Sequence, residues 1–195
     1  MSLSVYIKEK RFKEKTVLSS LSFDFPDTGL FLITGKSGIG KTTLLRIIAG
    51  LDKDFSGEII GGGIKNTSFD FQEYRLFPQL SALENITLVS YENPGAQDVE
   101  NAKKMLKEFG FSESEFSLLP SELSGGMKQR IGLIRAILKD TPILLLDEPT
   151  KELDPALQEK ILNVIKKESL KRLVIMVSHS SYDKNYISDN VIEIK

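Results

Sequence analysis

Eight consecutive residues, Gly35, Lys36, Ser37, Gly38, Ile39, Gly40, Lys41 and Thr42, match the spacing G-x-x-x-x-G-K-[ST] at every fixed position. Glycines so spaced let a backbone wrap closely around an anion, with successive N–H groups pointing inward. The apolar run GLFLIT precedes this loop and reads as a buried strand, and TTLLRIIAGL follows it as a helix ending near Gly50. That helix adds the positive end of its dipole to the same anion. Lys41 offers a point charge for β- and γ-phosphates, the Thr42 hydroxyl a ligand for Mg²⁺, and Thr43 a contact to an α-phosphate. The chemistry this spacing points to is capture of ATP with magnesium.

Farther along, ILLLDEP brings Asp147 and Glu148 to the end of an apolar strand. In open α/β sheets, ligand chemistry sits at that edge. Asp147 can hold magnesium through its waters, and Glu148 can polarise the water that attacks a γ-phosphate. With a phosphate loop in the same chain, the acid pair turns nucleotide binding into hydrolysis. The sequence has no cysteine, which excludes disulfides, thiol catalysis and Cys-ligated zinc.

The run LSGGMKQR at residues 123–130 resembles the signature motif of ABC-type ATPases, and it lies in a helical segment upstream of ILLLDEPT, as in that family. Gln72, after FDF, resembles the Q-loop glutamine; Leu153 and Asp154 resemble the D-loop; His179, the sole histidine, resembles the switch histidine. Phe12 matches the position where the family stacks an aromatic ring on adenine. The likeness covers essentially the whole chain. It implies catalytic roles for Glu148, His179 and Gln72, and a magnesium site of Thr42, Gln72 and Asp147. It also implies a head-to-tail pair, in which Ser124, Gly125, Gly126 and Gln129 close on ATP held by the opposite subunit. The partners it implies are a second ATPase subunit and membrane-spanning permease subunits, with the chain peripheral on the cytoplasmic face of the membrane. FQE-x-RLFP with LSGGMKQR resembles the importers of nitrate, sulfonate and taurine. Phe77, Pro78 and Leu80 fall where such permeases dock. ABC ATPases of DNA repair or chromosome maintenance, and ribosome-associated or regulatory ones, are the alternatives. The sequence lacks the coiled-coil heptads, zinc cysteines or second cassette that those carry.

Departures from the family pattern carry expectations too. The stretch from Gly57 to Gln72 is short, which predicts a trimmed antiparallel lobe. Lys151 and Glu152 replace the small residues that usually precede Leu-Asp. The end at VIEIK leaves no room for a C-terminal regulatory domain.

The elements that must position these groups follow from periodicity. The order of strand and helix patterns predicts a mostly parallel sheet with helices on its faces. The resemblance implies the phosphate-loop NTPase fold of the ABC type. It has a mostly parallel sheet core (about 1–75 and 140–195), a small antiparallel β lobe, and an inserted helical subdomain (about 76–139). Strands are expected at Ser4 to Lys8, Leu18 to Phe25, Glu58 to Ile60 and Phe69 to Phe71. Asp98 is expected to cap a helix that ends at Gly110 and lays Val99, Ala102, Met105, Leu106 and Phe109 on one face. Ser124 and Asp154 are expected to cap two later helices. A net charge of −1 over 195 residues gives no field for nucleic acid. No stretch reaches the roughly 18 apolar residues of a spanning helix, and the N-terminus lacks the apolar stretch of a secretory signal.

Overall fold

Apart from the terminal Asp147, the runs Ile143–Asp147 and Leu173–Val177 contain only apolar residues, so neither can leave a face in water. A computed structural model of the chain, describing residues 2–70, 75–90, 93–187 and 190–194, buries both on two sides. In chain order the elements are β1 (Leu3–Phe12), β2 (Lys15–Phe25), β3 (Gly29–Thr34), α1 (Lys41–Ile48), β4 (Ser56–Ile60), β5 (Thr67–Asp70), α2 (Ala82–Ser90), α3 (Ala96–Glu108), α4 (Gly125–Leu138), β6 (Ile143–Asp147), α5 (Pro155–Ser169), β7 (Leu173–Val177), α6 (Ser181–Tyr186) and β8 (Val191–Glu193). The parallel sheet runs β5-β6-β7-β3-β8, and a second, antiparallel sheet runs β2-β1-β4.

Period-two alternation sorts the parallel strands between two cores. Leu144, Leu146, Val174 and Met176 face α2 to α5, whereas Ile143, Leu145, Leu173, Ile175 and Val177 face α1 and the antiparallel sheet. Each fully buried side chain of this kind contributes about 1.5–3 kcal/mol, so the sheet is the rigid floor of the molecule. Its register matters for function. Ile33 and Asp147 both pair with Val177, so β3, β6 and β7 end at one level. The phosphate loop, the acid pair and the Ser178–His179 turn therefore emerge together.

The structure departs from sequence expectation in several places. The hairpin strands are longer than expected, and they meet at Phe12 and Lys15 across a two-residue turn in which Lys13 takes φ 54°. Strand β5 begins at Thr67 and is described to Asp70; Phe71 and Gln72 lie outside the described residues. Asp98 is not the cap of α3. Gly95 is, and the Asp98 carboxylate accepts the Gly95 N–H at 2.9 Å from inside the first turn. A carboxylate there meets an orphan donor and the helix dipole at once, so the helix can start earlier. Ser124 and Asp154 do cap α4 and α5, accepting the N–H groups of Met127 at 3.3 Å and Leu157 at 3.0 Å. Helix α6 is an addition to the expected elements; it is short and polar, and its cap is Ser180. Among the described residues no helix is long and apolar enough to cross a membrane.

Candidate active site

A cavity of about 470 Å³ opens at the shared end of β3, β6 and β7. Ser37, Gly38, Gly40, Lys41, Thr42 and Thr43 line it from the loop and α1, Asp147 and Glu148 from the end of β6 and the turn after it, His179 from the turn after β7, and Phe12 and Val17 from the hairpin. Three loop residues stay out of the lining. Gly35 lies so close to Ile194 that a Cβ would sit 2.7 Å from its carbonyl oxygen. Ile39 packs into the core beneath, and Lys36 is exposed. Gly38, at φ 76°, has no atom of the described residues within 4 Å of where a Cβ would stand, so its backbone is open to an anion.

Lys41 is 5% exposed and its Nζ donates to the carbonyls of Gly35 and Lys36, both at 3.0 Å. The ammonium is thus tethered across the loop it serves. Burial holds its pKa below that of an ordinary lysine, and the nearby Glu148 and Asp147 carboxylates pull the other way. Asp147 is buried, and the Thr42 hydroxyl donates to its Oδ2 at 2.7 Å. Its Oδ1 is buried and has no hydrogen-bond partner among the described residues. Burial raises the Asp147 pKa; the Thr42 bond opposes this, and the Glu148 charge adds to it. A buried carboxylate oxygen left bare beside a hydroxyl, at the foot of a phosphate cradle, fits a hard cation.

Glu148 adopts φ 55°, a left-handed conformation costly for a residue with a Cβ. Its N–H donates to Val177 O at 2.9 Å, which fixes the turn to β7. Both carboxylate oxygens have cationic or ring neighbours: His179 Nε2 at 3.4 Å and Lys151 Nζ at 3.2 Å. Lys151, one of the unexpected D-loop residues, therefore faces the acid directly. Gln129 does something the sequence did not announce: its Nε2 donates to Glu148 O at 3.1 Å within the same chain. Asp154 caps α5. Gln72 lies outside the described residues. Ser124, Gly125 and Gly126 are exposed and do not line the cavity of their own chain.

Sequence reasoning missed Asp183. It is 0% exposed, and its carboxylate accepts from Thr150 at 2.6 Å, Ser178 at 2.5 Å and Gln158 at 2.8 Å. One carboxylate thereby joins the turns after β6 and β7 and sets where Glu148 and His179 meet. The only sequence cue is an acid three residues after Ser180, the pattern of a helix cap. Asp183→Ala removes the acceptor of two hydroxyls and one of the two acceptors of the Gln158 amide, and a loss of about 3–5 kcal/mol in unfolding free energy is expected. Urea denaturation measures it; a loss below about 1 kcal/mol is incompatible with the network.

A second cavity, of about 230 Å³, lies away from this chemistry, between the end of α1, β5 and α4. Ala49, Leu51, Ile64, Phe69, Arg135 and Ala136 are among its lining. Phe77 is exposed nearby in sequence but is not part of that lining.

Residues 18–151 match the family model described as ABC transporter. The aliphatic sulfonates import ATP-binding protein SsuB of Bacillus anthracis is 38% identical over 98% of this chain and 80% of its own length. Its counterpart in Bacillus subtilis (strain 168) is 35% identical over 100% and 80%. A solved dimeric structure of the ATP-binding cassette MJ0796, bound to ADP and Pi, superposes with a TM-score of 0.83 at 29% identity, covering 99% of this chain and 94% of that one. The chain belongs to the ABC transporter family, as one of its ATP-binding, ATP-hydrolysing cassettes.

Proposed function

We propose that the chain hydrolyses ATP as one half of a head-to-tail pair and so drives a small-solute importer. The observation that carries the pairing is the position of the α4 N-terminus. Ser124, Gly125 and Gly126 form an exposed helix start with no side chain beyond a hydroxyl, outside the nucleotide cavity of their own chain. Such a terminus suits an anion, and the anion it suits is the γ-phosphate held by a second copy or a close relative. The dimeric state of the MJ0796 cassette supports this reading.

Within each half the residues take distinct roles. The amides at 35–43 and the Lys41 ammonium grip the phosphates, and Phe12 stacks on adenine. Thr42 and Asp147, with Gln72, would hold magnesium. The ion, when bound, neutralises charge on the β- and γ-oxygens. Glu148 accepts the proton of the attacking water. His179 contacts the γ-phosphate, and Asp154 faces the partner subunit. Gln129 acts in its own chain, on Glu148, as well as in the signature. Residues of about 76–139 form the helical subdomain that carries the signature.

The importer reading rests on the sulfonate-import relatives and on the groove of Leu51, Ile64 and Ala136, whose apolar walls suit a permease segment. Through that contact the chain sits on the cytoplasmic face of the membrane, with no part for nucleic acid. A mixing experiment tests the pair. Lys41→Ala and Ser124→Arg chains are each expected to be inactive alone. Mixed, they form a heterodimer with one intact composite site, and turnover should return to a substantial fraction of wild type. If mixing restores nothing, each chain is complete by itself and the pair is wrong.

A further inference from the structure

Lys10 is 2% exposed, an unusual state for a lysine. The cause is local. Strand β1 turns Leu3, Val5 and Ile7 inward, then slips register against β4 between Ile7 and Glu9. The slip shifts the phase, and the next inward position falls on Lys10. All three ammonium protons find acceptors: Asp52 Oδ1 at 2.8 Å, Asp54 O at 2.5 Å and Asp54 Oδ2 at 3.4 Å. Burial acts to lower the lysine pKa, but these two aspartates outweigh it and the net shift is upward, so the group is charged at neutral pH.

The same ammonium stands 4.6 Å from the centroid of the Phe12 ring. That is within cation–π range. Phe12 is 52% exposed and lies at the rim of the nucleotide cavity. Asp52 and Asp54 follow α1, the helix that begins with Lys41 and Thr42. Lys10 therefore links the ring on the hairpin to the helix that carries the phosphate contacts.

We infer that Lys10 is a positioning residue for base recognition. Its ammonium, anchored on Asp52 and Asp54, backs one face of Phe12 and presents the other face, fixed and electron-depleted, to a purine. This rests on the reading of Phe12 as the adenine platform. An anchored cation behind the ring does two things. It limits the motions the ring must lose when a base stacks on it. It also draws π-density away from the stacking face, which favours the electron-rich adenine.

A purely structural clasp between β1 and the segment after α1 would explain the burial alone. The two roles separate when the ligand has no base. ATP and inorganic tripolyphosphate, each with magnesium, are titrated calorimetrically into the wild-type chain and into Lys10→Gln, Lys10→Arg and Phe12→Ala. Lys10→Gln keeps a donor for Asp52 while removing the charge behind the ring. Its affinity for ATP should fall roughly three- to tenfold, part of what one base stack is worth, with tripolyphosphate unaffected. Lys10→Arg should restore most of the loss. Phe12→Ala should weaken ATP by about tenfold or more. If Lys10→Gln leaves ATP affinity intact, or weakens both ligands alike, Lys10 is only a clasp and the inference falls while the Phe12 reading stands. If Phe12→Ala leaves ATP affinity unchanged, the adenine platform itself is wrong. Should Lys10→Gln fail to fold, Asp52→Asn loosens the anchor and must show the same base-dependent loss.

Discussion

Replacing Lys41 with alanine is expected to raise the Kd for ATP by two orders of magnitude or more, without unfolding the chain. One charge on a phosphate at about 4 Å is worth about 4 kcal/mol at an effective dielectric near 20, which sets the ceiling of the effect near a thousandfold. The buried setting of Lys41 places it toward that ceiling, because solvent does not screen it. The side chain also donates to the Gly35 and Lys36 carbonyls, so its loss frees the loop to relax away from a phosphate-wrapping shape. Isothermal titration with ATP, alongside a thermal melt to show retained folding, reads the result. A wild-type isotherm from the variant would remove the loop at 35–42 from the binding site.

Glu148→Gln should separate binding from chemistry. Glutamine has the shape of glutamate and keeps the backbone at φ 55°, but it cannot take a proton from water. The contacts it weakens, to His179 at 3.4 Å and Lys151 at 3.2 Å, involve partners that are substantially exposed. Such pairs contribute about 0–1 kcal/mol, so stability should barely move. Affinity for ATP should be retained, while steady-state phosphate release falls about 10²- to 10³-fold, the usual scale for a lost general base. Turnover within threefold of wild type would mean that another group activates the water.

What could be read from the sequence was what depends on neighbours along the chain. The phosphate loop is eight adjacent residues, and the acid pair is announced by the apolar run of β6 immediately before it. Ser124 and Asp154 cap their helices through bonds three residues long, and these too were legible. What was hidden depends on register and on tertiary approach. Nothing local says that a slip in β1 turns Lys10 inward, or that Gln129 reaches the carbonyl of Glu148 nineteen residues on. Asp183 joins Thr150 and Gln158 across 33 and 25 residues, and no periodicity marks such a residue. The start of α3 lies ahead of Asp98 because a carboxylate can serve a helix start either as its cap or from within its first turn.

The left-handed backbone at Glu148 sets two selective pressures against each other at one position. For an L-residue with a Cβ that conformation costs about 1–2 kcal/mol, and glycine would relieve it. A library of chains screened for heat tolerance alone would drift from acid at 148 toward glycine or asparagine. A library screened for phosphate release would hold the acid and carry the strain. With Glu148 as the proposed base, robustness and turnover are opposed at the turn after β6, and a stabilised form of this cassette has to gain its extra stability elsewhere.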